Sequence, residues 1–293
     1  MNNITYIFLG GVPKSGTSSL FEMLGEIPEI SPSIPKETFY LIDKDYIIQK
    51  EENYFEDGWS KFNDFFAKDN KKIRLEGTTH LIYQEDIIPV LKEKKSFFIF
   101  ILRRPEERIR SSFEYSMNNL ASFNKRISFP TFVDIFLDSP KDLLQFSSRK
   151  NALSNLAQGK IIADYPRLIS KWKSQIPEDR LFIIDYDFYN QKPQETLNKL
   201  MERISPEVKM PEIAISRSNK TKHIKNIRLH NWLGYLNRKT QNSLFKKTIK
   251  KIYFKFQKKK VNRTLEDEKA LIRLKNAFDF NYKELCDNSF KIK

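Results

Sequence analysis

Four short runs in this chain are apolar enough to be buried strands. They are Tyr6 to Leu9, the alternating Ile73-Arg74-Leu75-Glu76, Ser96 to Leu102 (SFFIFIL) and Arg180 to Asp185. Between them the apolar spacing changes from two to three or four. Leu20, Phe21, Leu24 and Ile27 recur with helical period, as do Trp59, Phe62, Phe65 and Phe66, and later Tyr165, Ile169 and Trp172. Further helices are predicted over Glu195 to Ile204 and Glu266 to Cys286, and 130–156 reads as helical and irregular. Residues 28–35 hold three prolines and read as a turn-rich connection. Strands alternating with helices predict an α/β fold, a three-layer sandwich with a central parallel sheet and helices on both faces. A single domain over 1–293 is expected, with a basic helical C-terminal region from about 217.

Composition narrows the functional classes. At 293 residues with 40% hydrophobic and 13% aromatic content, the chain can bury a large core. The single cysteine, Cys286, cannot form an internal disulfide, which points to a reducing, cytoplasmic setting, and with only three histidines a metal site is not expected. The longest purely apolar run, Phe97 to Leu102, is too short to span a membrane, and no signal-like N-terminal segment is read. The net charge is +15, yet Arg217 to Arg263 carries 16 Lys/Arg and no Asp or Glu, leaving the rest of the chain at −1. The basicity is therefore local and does not predict nucleic-acid binding. Within that stretch Leu244, Phe245, Ile249, Ile252, Tyr253 and Phe256 form an apolar stripe among lysines. Such a helix suits either an anionic membrane or polyanion, or packing on the domain with its lysines outward.

The chemistry starts after the first strand. Gly10-Gly11-Val12-Pro13-Lys14-Ser15-Gly16-Thr17-Ser18 is a glycine-containing turn feeding a helix. Such a turn aims backbone N–H groups and a positive helix end at one spot, where an anion can sit. Gly11, four residues, Gly16, Thr17, Ser18 follows the frame of a nucleotide-triphosphatase loop, but Thr17 stands at its lysine position and Lys14 lies inside the turn. The phosphate cradle is kept and its cation moved, which favours a phosphate-bearing donor other than ATP. A turn that binds nothing has no need of a lysine and the four hydroxyls of Ser15, Thr17, Ser18 and Ser19. The second feature follows the third strand. Arg103 ends SFFIFIL, where α/β sheets bind ligands, and Pro105 with Glu106 and Glu107 starts a helix bearing Ser111. Arginine can clamp a phosphate bidentately and serine can add a hydroxyl.

Pro13-Lys14-Ser15-Gly16-Thr17-Ser18-Ser19-Leu20 resembles the 5′-phosphosulfate loop of sulfotransferases that use 3′-phosphoadenosine 5′-phosphosulfate (PAPS). Arg103, followed by x-Pro and by Ser111 eight residues on, resembles the same family's 3′-phosphate segment. The resemblance implies sulfuryl transfer from PAPS to an acceptor hydroxyl, less readily an amine, with the product nucleotide PAP released and no metal needed. It implies that Lys14, Ser15, Gly16, Thr17 and Ser18 hold the phosphosulfate. It also implies that Lys14 takes up charge on the leaving oxygen, and that Arg217, Lys220 and Lys222 close over the 3′-phosphate. Lys36-Glu37-Thr38-Phe39-Tyr40 is similar to a segment of the carbohydrate-modifying, heparan-type branch, which makes Glu37 the base. Thr78-Thr79-His80 is similar to the histidine segment of the cytosolic branch, which makes His80 a second candidate. Glu76-Gly77-Thr78 departs from the family pattern, since Gly77 stands where a lysine follows the glutamate. The implied acceptor is a saccharide or other small alcohol. A nucleotide kinase with a degenerate loop, and a membrane- or polyanion-binding module, are the alternatives. Location at the cytoplasmic face of a membrane goes with the second.

Overall fold

The computed structural model describes residues 4–48, 52–120, 122–148, 152–212 and 263–291. The apolar stripe at 244–256 and the residues Arg217, Lys220 and Lys222 lie outside them. In chain order the elements are β1 (Thr5–Gly11), α1 (Thr17–Gly25), β2 (Ile30–Pro32), α2 (Tyr54–Phe62), β3 (Ile73–Glu76), α3 (Ile88–Lys92), β4 (Ser96–Leu102), α4 (Pro105–Asn118), α5 (Phe129–Asp138), α6 (Ser154–Ala157), α7 (Gly159–Ala163), α8 (Tyr165–Lys173), β5 (Leu181–Asp185), α9 (Tyr186–Gln191), α10 (Pro193–Ile204) and α11 (Leu265–Ala277).

All the pairings in the five-stranded sheet are parallel, in the order β2-β3-β1-β4-β5. Every residue of β1, β4 and β5 is buried, as strands covered on both faces must be. Alternation then sorts the side chains. Tyr6, Phe8, Phe98, Phe100 and Ile183 face one layer with Phe62 of α2 and Leu168, Ile169 and Trp172 of α8. Ile7, Leu9, Ile99, Ile101, Phe182 and Ile184 face the other with Leu20 and Leu24 of α1 and Leu197, Leu200 and Met201 of α10. The expected three-layer α/β architecture is what the chain adopts.

The described residues form two compact units. One draws on 4–104, 164–212 and 280–291 and contains the sheet; the other draws on 105–163 and 263–279. The second unit is helical. Phe113, Phe132, Phe136, Leu271 and Leu274 from α4, α5 and α11 share its core, and α11 opens on a capping box between Thr264 and Asp267.

Three expectations are corrected. The turn-rich stretch at 28–35 contains β2, a three-residue edge strand ending in Pro32. Proline is tolerated there because an edge leaves one side of the strand unpaired. The aromatic helix at 59–66 stops at Phe62, a tighter turn takes Asn63–Phe65, and Phe66 is extended. The last helix ends at Ala277 and not at Cys286. Beyond it, Tyr282 and Cys286 are buried in the core of the sheet-containing unit, which takes the chain out of helical register.

Trp172 is fully buried, its ring centroid lies 5.1 Å from that of Phe98 in a tilted pair and 4.9 Å from that of Phe100 edge-on, and it donates its indole N–H to Ile82 O at 3.0 Å. Trp172→Ala should therefore cost about 3–5 kcal/mol, read as a lowered urea midpoint with little change in slope.

Candidate functional site

The turn after β1 carries two residues with left-handed backbone, Lys14 at φ 71° and Gly16 at φ 82°. Gly16 caps α1 without a side chain, and a Cβ there would lie 2.8 Å from Tyr189 Cε1. Only glycine meets both demands. The first turn of α1 holds no acidic residue, so its outward N–H groups and positive end have no internal carboxylate. Ser15 is wholly buried, and its hydroxyl makes no hydrogen bond among the described residues. A buried hydroxyl left that way costs about 1–3 kcal/mol, and a phosphate or sulfuryl oxygen against the turn would accept its proton.

Lys14 is not glycine, and its left-handed backbone costs about 1–2 kcal/mol. Arg103, at the carboxyl end of the adjacent β4, donates to Lys14 O at 3.1 Å. Its guanidinium lies 4.8 Å from the Tyr186 ring centroid, and Tyr165 OH donates to its carbonyl at 3.0 Å. Tyr189 follows one turn later in α9. Burial pushes its hydroxyl up to about 12, against the pull of its bond with Ser19.

The neighbouring wall is built on Glu76, a fully buried carboxylate ending β3. It accepts from Thr38 N at 3.0 Å, Thr38 Oγ1 at 2.9 Å and Thr78 N at 2.9 Å, and also from Thr78 Oγ1. Burial pushes this carboxyl up, and the donated hydrogen bonds oppose that shift. The bonds lock the 36–39 segment onto 76–79, with Phe39 N donating to Thr78 Oγ1 at 3.0 Å and Gly77 N to Lys36 O at 3.0 Å. Glu37 then projects beside Thr79, whose Oγ1 donates to Glu37 Oε1 at 3.2 Å, while Lys36 Nζ lies 3.1 Å from the same oxygen. Thr79 also backs onto the turn, because a Cβ on Gly11 would sit 2.8 Å from Thr79 O. Thr79 thus lies between the end of β1 and Glu37.

His80 lies among aromatic rings. Its Nδ1 is 2.8 Å from Tyr46 OH, and Phe39, Tyr46 and Tyr83 surround the ring at 5.6–5.8 Å. Lys14, Ser15, Gly16, Thr17, Ser18, Arg103 and Glu37 gather at the carboxyl ends of β1, β3 and β4. Ser111 is half-buried in α4 of the helical unit. Sequence reasoning passed over Tyr186, Tyr189, Thr79 and the pinning role of Glu76. The usable signal for the tyrosines was their place just past the end of β5, the same sheet edge as Arg103.

The sequence matches the family described as "Sulfotransferase domain" over residues 5–285. The chain belongs to the sulfotransferase family. Sulfuryl transfer is the activity that this membership carries. A sulfotransferase from Alicyclobacillus acidocaldarius superposes with a TM-score of 0.57 at 14% identity, covering 76% of this chain and 88% of its own. The sulfotransferase domain of the Synechococcus PCC 7002 olefin synthase gives 0.40 at 13% identity over 95% and 94%. A mouse sulfotransferase complexed with PAP gives 0.43 at 15% identity over 86% and 89%. No curated protein matches the chain. The first of these likenesses is one of fold. Among the described residues no helix is long and apolar enough to cross a membrane.

Gly16→Ala should cost about 1–2 kcal/mol from its backbone alone. Pressure on Tyr189 adds to that, and anion affinity at the turn should fall with it. Urea unfolding and nucleotide titration on the same preparation check both.

Proposed function

We propose that this sulfotransferase moves the sulfuryl group of PAPS in line to an acceptor hydroxyl. The observation that carries the donor reading is the turn itself: a helix start without acids, a lysine, and a buried Ser15 hydroxyl lacking an acceptor among the described residues. These features fit an anionic phosphosulfate. PAPS supplies a sulfur whose bond to the phosphate oxygen breaks as the acceptor oxygen bonds to it, with PAP leaving. Lys14 and the N–H groups and hydroxyls of Ser15, Gly16, Thr17 and Ser18 bind the phosphosulfate. Lys14 offsets charge on the departing phosphate oxygen, a term that matters most where water is excluded. Arg103 binds the 3′-phosphate, the group that the family resemblance also assigns to Ser111, Arg217, Lys220 and Lys222.

Glu37 accepts the acceptor's proton. It is preferred to His80 because only Thr79 lies between it and the end of β1, while the His80 ring is enclosed by aromatics and bonded to Tyr46. The Lys36-Glu37 segment favours a sugar or related alcohol as acceptor. The basic stretch after 217 suits an acidic saccharide or an anionic membrane holding the acceptor. A cytoplasmic setting suits a chain whose single cysteine is free and buried.

Calorimetric titration of PAP, ADP and ATP–magnesium tests the donor. Metal-free PAP binding that depends on the 3′-phosphate is expected; preference for ATP–magnesium returns the chain to the kinase class. Arg103→Ala should weaken PAP by about ten- to a hundredfold, as loss of a charge-assisted phosphate contact does. An equal loss for ADP would mean that Arg103 acts only by holding the turn. Glu37→Gln should keep PAP affinity and lower sulfuryl transfer by about a hundredfold or more. Retained turnover would move the base to another group.

A further inference from the structure

In the family pattern that the stretch at Glu76 resembles, a lysine follows the glutamate, and here that position is Gly77, just after β3. The structure fills the space differently. Lys36 runs across Gly77: a Cβ built on this glycine would lie 2.9 Å from Lys36 Cγ and 3.1 Å from Lys36 Cε. Phe21 of α1 bounds the other side, 2.8 Å from the same point, and the Lys36 ammonium lies 5.7 Å from its ring centroid. The lysine stem and a side chain at 77 exclude one another. The ammonium ends half-buried, 3.0 Å from Gly77 O and 3.1 Å from Glu37 Oε1. An ammonium has three donors, and these two bonds leave one.

Chemistry requires a cation at this place. A glutamate that deprotonates the attacking oxygen must stand close to the sulfur that the oxygen attacks. Carboxylate and sulfuryl oxygens are both anionic and repel at that distance. A lysine held on the carboxylate relieves the repulsion and can donate its remaining hydrogen to a sulfuryl oxygen.

Resting on the PAPS reading above, we infer that Lys36 is the cation that contacts the transferred sulfuryl group, taking from the preceding segment the place that a side chain at position 77 cannot fill. Gly77 is small because Lys36 passes over it. Lys36 thus distinguishes PAPS from PAP, which lacks the sulfuryl group.

The test titrates PAPS and PAP separately into wild type, Lys36→Met, Lys36→Arg and Gly77→Ala. Lys36→Met should weaken PAPS by about tenfold or more, the loss of one charged hydrogen bond, and leave PAP essentially unchanged. Lys36→Arg should keep most of the PAPS affinity. Gly77→Ala, which leaves the lysine in the sequence but displaces its stem, should behave like Lys36→Met. Unchanged PAPS affinity in Lys36→Met overturns the inference, and so does equal weakening of PAPS and PAP, which would make Lys36 part of the scaffold. Failure of the donor reading looks different, because wild type would then bind PAP without regard to its 3′-phosphate.

Discussion

The segment that carries Lys36 and Glu37 is held by one buried carboxylate. Glu76 sits where β3 ends, with no water to solvate it, and a lone ionised carboxylate there would be strongly disfavoured. Four donated hydrogen bonds from Thr38 and Thr78 offset that cost. The requirement works in both directions. The carboxylate needs these donors, so the segment carrying Lys36 and Glu37 has no freedom to lie anywhere but against the end of the sheet. Glu76 touches no reacting group in the reading given above, yet the position of Glu37 follows from its hydrogen bonds.

The turn after β1 is organised by backbone conformation. Two successive departures into left-handed space, at Lys14 and Gly16, turn the chain from β1 into α1 so that the helix start faces the sheet edge. Glycine meets this demand at 16; at 14 a lysine meets it under strain, with Arg103 bonded to its carbonyl. Strain of this kind persists only where the surroundings over-determine it, and here β4, α8 and α9 each contribute a partner. Arg103 thereby links the strand that the resemblance connects with the 3′-phosphate to the turn connected with the phosphosulfate. Parallel pairing of β1 with β3 and β4 puts all three carboxyl ends on one edge, so residues far apart in sequence meet there.

Much of this was legible in the chain. The strands at Tyr6–Leu9 and Phe97–Leu102 are apolar on both faces, and only a sheet covered on both sides needs that. The glycine frame around Lys14 and the Arg103-x-Pro105 helix start are local chemistry, and local chemistry survives folding. What sequence reading missed depended on partners. The strand Ile30–Pro32 is too short for a period and exists because β3 offers it an edge. The run from Trp59 to Phe66 has helical spacing, but its last residues leave the helix, Phe65 meeting Tyr40 edge-on and Phe66 lying against the Arg74 guanidinium. Gly77 reads along the chain as a missing lysine.

The sequence by itself determined the alternation of strand and helix, the glycine turn around Lys14 and the candidate base, because periodicity, glycine placement and short motifs act over a few residues. Only the tertiary structure decided which groups share a site. Lys36 and Gly77 stand forty-one positions apart, Arg103 and Lys14 eighty-nine, and no local rule couples them. They meet because buried polar groups must find partners and because the carboxyl ends of parallel strands converge on one edge.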